Sequence, residues 1–155
     1  MSELKSGYIK RLKPNLKKML QPKRRKFIKE FRGRRHGVAT RGSVISFGDF
    51  AMKAQEVAWV TSAQIESARR TITHGLKKGG RVWVRVFPDK PITSRPAGKR
   101  MGGGKGDIST YVAVVRPGMI LFEVAGADSA IVREAFRKAS AKLPIDIKVV
   151  SREEE

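Results

Sequence analysis

A glycine-rich stretch with a lysine inside it is the first candidate for chemistry, because such loops can cradle phosphates. It runs GGGKG from Gly102 to Gly106. A P-loop needs Ser or Thr directly after its lysine and a first glycine five residues before the second. Here Gly106 follows Lys105, and Lys99 stands in place of the first glycine. The dinucleotide pattern G-x-G-x-x-G is also absent, so neither nucleotide-binding motif is indicated.

The side chains that usually bind metals or transfer protons are sparse. His36 and His74 have no second histidine or carboxylate at metal-ligand spacing. Asp89 stands beside Lys90, which favours a local turn or ion pair over acid–base work. The chain has no cysteine, which excludes disulfides, cysteine-based metal sites and a cysteine nucleophile. The sequence therefore predicts no metal, no cofactor and no enzymatic activity.

Positive charge is the strongest signal in the sequence. The 155 residues hold 34 Lys and Arg against 14 Asp and Glu, a formal net charge of +20. Residues 1 to 42 carry fifteen basic and two acidic residues, whereas residues 107 to 155 carry seven and eight. Concentrated like charge repels itself unless a polyanion neutralises it, and nucleic acid is the commonest such polyanion. The charge gradient therefore predicts an RNA partner.

Two amphipathic helices are expected to support this charge. Thr61-x-x-Gln64 is a capping box, and Gly79-Gly80 would stop the helix that it starts. A second helix would begin at Asp128 or Ser129 and end before Pro144. Apolar residues recur at helical spacing along both and would face the core. They are Ile65, Ala68, Ile72 and Leu76 in the first helix, and Val132, Ala135, Phe136, Ala139 and Leu143 in the second.

Alternating segments predict strands between and around these helices. Two short strands are expected within residues 43 to 60, the first around Val44, Ile45 and Phe47. Residues 81 to 87 place three valines on one face, while Trp83 and Arg85 on the other face are either RNA contacts or half-buried. The remaining strands are a hairpin of 108–115 with 119–124 and a last strand containing Ile145, Ile147 and Val149. Mixed strands with two helices indicate the α+β class.

The chain divides into four parts by composition. Residues 1–18 are a basic N-terminal extension, 19–42 a basic RNA-binding arm, 43–150 the α+β domain and 151–155 an acidic tail. Phe27, Ile28 and Phe31 are the only arm residues that could anchor it on a core. Residues 88 to 107 are rich in Pro and Gly and are expected to form one long loop.

Seven motifs then occur in one order. They are MLQPKRRKF at 19–27, RGRRHG at 32–37, SFGDF at 46–50, QIESARR at 64–70, VWVRVFPDKPIT at 82–93, RMGGGKG at 100–106 and REAFRKASAKLPI at 133–145. Through them the chain resembles the bacterial-type large-subunit ribosomal protein sixteen over about residues 19 to 150. The resemblance implies a single hammerhead-like α+β domain and a structural ribosomal protein. Its partners would be large-subunit rRNA, tRNA and neighbouring ribosomal proteins, with no membrane and no homo-oligomer.

The resemblance also implies which residues bind RNA. Carried over by motif, the rRNA-binding residues are Lys23, Arg24, Arg25, Lys26, Arg32, Arg34, Arg35, Arg41, Arg69, Arg70 and Lys90. The loop near tRNA and the peptidyl transferase centre would be Arg100, Met101, Gly102 and Lys105. Two features depart from the family pattern. QEVAWV at 55–60 replaces a basic run, and Gly103 stands where many members have Lys.

Three alternatives stay open at this stage. The ribosome would be the cytoplasmic ribosome of a bacterium or that of an organelle. Residues 1 to 35 are also amphipathic and polybasic, as in a targeting or membrane-surface segment. The third alternative is a basic enzyme that acts on RNA.

Overall fold

The computed structural model describes residues 20 to 77 and 79 to 152. Seven strands and two helices are formed within these ranges, which confirms the α+β prediction. In chain order they are β1 (Phe50–Ala54), β2 (Ala58–Thr61), α1 (Ser62–Gly75), β3 (Arg81–Val84), β4 (Lys90–Ser94), β5 (Asp107–Val115), β6 (Ile120–Ala125), α2 (Ser129–Ser140) and β7 (Ile147–Ser151). The predicted extension, Lys78 and the end of the acidic tail from 153 to 155 lie outside the described residues.

The strands form two antiparallel sheets. The larger sheet has four strands in the order β3-β6-β1-β7, and the small sheet has three strands in the order β2-β5-β4. Register aligns four apolar side chains across the larger sheet, and all four belong to the main core or pack against it. These four are Val84, Phe122, Met52 and Val149. The predicted inner face of the 81–87 segment is therefore confirmed.

Both helices bury the residues of their predicted apolar stripes that they contain. Leu76 is the C-cap of α1, and Leu143 lies beyond the end of α2 and is partly buried against the core. The Thr61 side chain accepts a hydrogen bond from the Gln64 N–H, and the Gln64 side chain accepts one from the Thr61 N–H, so the capping box is formed. The helices cross closely at Gly75, where a Cβ would lie 2.7 Å from the Cβ of Ala135. A helix capable of crossing a membrane is not found among the described residues.

The end of α1 differs from the prediction, whereas both ends of α2 agree with it. Helix α1 ends at Gly75, before the predicted Gly79-Gly80 stop, because Lys77 already has a left-handed φ of 55°. Asp128 is the N-cap of α2, but its side chain makes no capping hydrogen bond. Helix α2 ends at Ser140, ahead of Pro144.

Strand pairing corrects two predictions. The segments expected to pair as a hairpin, β5 and β6, lie in different sheets: β5 pairs with β2 and β4, whereas β6 pairs with β1 and β3. The 88–107 segment is not one long loop, because residues Lys90–Ser94 form β4 and pair with β5. The β4 and β5 strands thus form the hairpin of this region. In the last strand, Ile145 precedes β7 and is buried beside it.

A segment without strand structure covers the second face of the larger sheet. We name residues 43–48 the cover segment; the strand predicted around Val44, Ile45 and Phe47 is not formed there. Ile45 packs in a small cluster with Ala51 and Ile120. The Phe47 ring stacks on Trp83, with ring centroids 6.2 Å apart. Because the cover segment shields this face, Trp83 is half-buried, as the packing alternative proposed.

A buried carboxylate holds the cover segment on the sheet. Glu123 on β6 is fully buried and accepts hydrogen bonds from the N–H groups of Ser46, Phe47 and Gly48, at 3.2, 2.6 and 2.8 Å. Arg85 forms an ion pair with the same carboxylate. Burial raises the pKa of Glu123, but the three N–H donors and Arg85 outweigh it, so the pKa lies below its ordinary value. Arg85 therefore stabilises the fold through its ion pair with Glu123, as expected if the second face of the 81–87 segment is packed.

We expect Glu123→Gln to lower the free energy of unfolding by about 3 kcal/mol near neutral pH, because it leaves Arg85 and two or more N–H groups poorly paired. The folded-state pKa is lowered, so the carboxylate stabilises the fold above the ordinary value of 4.5 and loses this effect as the pH falls through the lower folded-state pKa. Urea unfolding near neutral pH and in acid measures both effects. Glu134→Gln, at an exposed helix ion pair, is the control and should change little. An equal decrease in the free energy of unfolding in the two variants would contradict the stabilising role given to Glu123.

Candidate nucleic-acid interface

The indole of Trp59 is a meeting point for three cations. The Arg35 guanidinium carbon lies 4.6 Å from the ring centroid, that of Arg32 5.7 Å, and the Lys90 ammonium 5.9 Å. Arg32 and Arg35 come from the arm, whereas Lys90 begins β4. A ring face attracts each cation by roughly 0.5–1 kcal/mol at an exposed site. The ring therefore brings the arm and the small sheet together.

Strand register explains why Trp59 is available. Val60 and Ala58 on β2 face the core, so alternation places Trp59 on the opposite face of the small sheet. Thr61 pairs with Val112, and Val112 in turn pairs with Lys90. Thr61 shares a face of β2 with Trp59, so Lys90 lies on the same face of the small sheet as Trp59. This face is partly covered, since Val112 is buried there.

Reciprocal contacts join the arm to residues 95–106 between β4 and β5, which we name the glycine loop. The Lys29 ammonium donates to the Lys105 carbonyl at 2.9 Å and lies 3.5 Å from the Asp107 carboxylate. The Lys105 ammonium donates to the Glu30 carbonyl and lies 5.4 Å from the centre of the Phe31 ring. The arm and the glycine loop, which were predicted to contact different RNAs, therefore contact each other through residues 29–31 and 105–107.

The tip of the glycine loop is exposed, and its backbone turns sharply at three successive glycines. Met101 is 95% exposed, and Arg100 is exposed beside it. Gly102, Gly103 and Gly104 have φ values of 113°, 69° and 80°, a backbone region that glycine adopts without strain. The departure at Gly103 therefore suits the backbone, since Lys would be strained in this conformation.

The remaining arm residues that were predicted to bind rRNA are of two kinds: one is held by protein partners, and five have exposed side chains. Arg25 is half-buried and donates to the Asp89 carbonyl while pairing with the Glu30 carboxylate. Five others project from the arm with their side chains exposed: Lys23, Arg24, Lys26, Arg34 and Arg41. Arg25 holds the arm to the start of β4, and these five remain accessible to a polyanion.

The expected apolar anchors of the arm do not dock. Phe27, Ile28 and Phe31 are 65%, 70% and 91% exposed, so the proposed anchoring role is wrong. Cation–ring contacts and ion pairs hold the arm in their place, and Leu20 packs on the core at the start of the described residues. The exposed arm aromatics are thus free to stack on another molecule.

The basic face of α1 is balanced by its own acid. Arg69 and Arg70 both pair with Glu66, at 2.8 and 2.9 Å. Hydrogen bonding from Arg69 is the largest influence, and together the two arginines lower the pKa of Glu66 to about 2. These residues lie on α1 and are not among the cations that contact the Trp59 ring. Their predicted RNA contact would have to compete with Glu66.

Two residues of this surface were missed by sequence reasoning. Trp59 lies inside QEVAWV, which was noted as a loss of basic residues; its aromatic ring within an alternating segment was the available signal. Lys29 carried no signal apart from its place in a basic arm. Its contact with Lys105 spans 76 residues and depends on the tertiary structure.

The structure is a small two-sheet α+β domain whose arm carries exposed cations and aromatic rings, a surface that suits a polyanion. Comparison with known families is consistent with such a partner. The family model described as ribosomal protein L16p/L10e matches residues 22 to 150. The chain belongs to the ribosomal protein L16p/L10e family, which confirms the resemblance seen in its motifs. It is a structural component of the large ribosomal subunit.

Gly106→Ala should separate the glycine loop from β4, because a Cβ there would lie 2.4 Å from the Ser94 carbonyl oxygen. Ser94 and Asp107 are paired at this end of the β4–β5 hairpin. We expect faster amide hydrogen exchange at these positions. Gly103→Ala is the control, since its Cβ meets nothing within 4 Å and its strain stays within the loop tip. Unchanged exchange in Gly106→Ala would refute the close approach.

Proposed function

We propose that this protein binds large-subunit rRNA through its arm and the face of its small sheet that carries Trp59 and Lys90. The observation that carries the proposal is the convergence of Arg32, Arg35 and Lys90 on one indole. In the part of the chain that the structure describes, none of these three cations has a carboxylate within ion-pair distance. Phosphate groups would supply the missing negative charge.

The exposed arm residues extend this surface. Lys23, Arg24, Lys26, Arg34 and Arg41 add point charges and guanidinium forks along the same segment. Arg25 would position the arm as well as bind RNA, since it is held by Asp89 and Glu30. Arg69 and Arg70 would form a second contact on α1.

The loop around Met101 is proposed to lie near tRNA and the peptidyl transferase centre. Its exposed tip, lack of bulky side chains at 102–104 and basic residues Arg100 and Lys105 suit a narrow RNA cleft. In this proposal the protein positions and supports RNA, and peptide-bond chemistry belongs to the RNA. A bacterial ribosome is the proposed location, with an organellar ribosome as the alternative.

The four-part division of the chain supports the same function. We propose that residues 1–18 add charge to the arm at 19–42 and that 43–150 belong to the folded domain. The acidic tail expected at 151–155 begins after Ser151, because Ser151 is the last residue of β7 and pairs with Phe50. Deleting 1–18 and measuring ribosome association and binding to anionic vesicles tests the extension. Weaker ribosome association supports an RNA role, whereas vesicle binding lost with the segment would assign it to a membrane surface.

Affinity for large-subunit rRNA should depend steeply on salt. With about six to ten phosphates contacted, affinity should fall by about 10³–10⁵ between 50 and 200 mM salt. Filter binding of the full chain measures this, and sedimentation should show the protein on large subunits until high salt strips it. A flat salt response, or absence from large subunits, would overturn the proposed function.

Glu66→Gln should strengthen rRNA binding, because Arg69 and Arg70 would no longer be balanced by their own helix. The slope of log affinity against log salt should steepen by about one. Glu134→Gln is a matched control: Glu134 also pairs with two cations on a helix and also has its pKa lowered to about 2, but it lies on α2. The same steepening in both variants would show that overall charge, and not the α1 face, is responsible.

A further inference from the structure

We propose that the cavity between Phe31 and Trp59 binds a single unpaired nucleotide of RNA. The cavity has a volume of about 300 Å³. Its lining comes from the arm, β2, β4 and the glycine loop: Glu30, Phe31, Arg32, Trp59, Pro91, Ile92, Thr93 and Lys105. This inference rests on the proposed RNA binding and adds which form of RNA is recognised, and where.

The lining offers an aromatic surface: within residues 20–77 and 79–152, no other aromatic ring stacks on Phe31. Phe31 is 91% exposed, and the contact described for its ring is with the Lys105 ammonium. Exposing a phenyl ring costs free energy in water unless something covers it. A nucleobase is a planar partner that would stack on Phe31, with Pro91 and Ile92 beside it.

The same cavity has cations placed for the phosphate of that nucleotide. Arg32 and Lys105 line the cavity, and Arg35 and Lys90 lie over the ring of Trp59, which also lines it. The Glu30 carboxylate is already paired with Arg25 and is therefore not available to balance them. An aromatic surface beside unbalanced cations matches a base joined to its phosphate.

A buried donor at the site lacks an acceptor. The indole N–H of Trp59 is buried and has no hydrogen-bond partner in the described residues. A buried donor without an acceptor costs about 1–3 kcal/mol. A bound nucleotide carries several oxygen and nitrogen acceptors, and its entry together with a small shift of the arm would supply one.

Size and shape favour one unpaired nucleotide over a duplex. The volume lies at the small end of the range of about 300–1,000 Å³ for ligand cavities. A paired base is stacked within its helix and cannot enter, so the duplex would contact the outer cations alone. The cavity therefore selects single-stranded or bulged RNA.

The test compares three probes on the full chain by fluorescence anisotropy: an eight-nucleotide adenine RNA, a duplex of the same length, and an abasic ribose-phosphate strand with the same number of phosphates. We expect the single strand to bind at least tenfold more tightly than the abasic strand, because stacking on one base is worth about a tenfold change or more. Equal affinities for the two strands would overturn the inference.

Phe31→Ala should remove this preference, with about tenfold weaker binding of the adenine strand and unchanged binding of the abasic strand. Phe27→Ala is the matched control, because Phe27 is an exposed arm aromatic beside Lys26 but does not line the cavity. Both side chains are exposed, so neither change should unfold the domain. An equal loss in both variants would overturn the inference.

The outcomes also separate this inference from the proposed function. If wild type binds all three probes equally and with steep salt dependence, RNA binding stands and the nucleotide cavity is refuted. If it binds none of them and no rRNA, the proposed function fails as well.

Discussion

The buried Glu123 carboxylate is the constraint on which the rest of the structure depends. It gathers the N–H groups of residues 46–48 and the Arg85 guanidinium, and so fixes the cover segment on the second face of the larger sheet. The arm leads directly into this segment and is tied again where the Gly42 carbonyl accepts from the Ile120 N–H. Because the end of the arm is fixed, its cations reach Trp59 on the neighbouring sheet.

Two groups of basic residues in this protein differ in how their charge is partnered. Arg85 and Arg25 have carboxylate partners and hold the cover segment and the arm in place. Arg32, Arg35 and Lys90 gather on an aromatic ring, which attracts cations without neutralising them. The three cations repel one another, and a bound phosphate would reduce this repulsion. The fold therefore places unneutralised positive charge where a polyanion can bind.

Much of the domain was predictable because helices and strand faces depend on local spacing. The capping box at Thr61 and the buried stripes of both helices follow from residues within one or two turns of each other. Pairing of β5 with β4, and not with β6, was not predictable, because a short turn at 116–118 resembles a hairpin turn locally. The partner of a strand is decided by the sheets that share the core.

The sequence alone determined the α+β class, the inner faces of the helices and strands, the direction of the charge gradient and, through its motifs, the family. These properties depend on residue type and on periods of two or 3.6 residues. Only the tertiary structure decided which cations are neutralised and which are not. It also decided that arm, β2, β4 and glycine loop meet at one cavity, because contacts such as Lys29 with Lys105 join residues far apart in the chain.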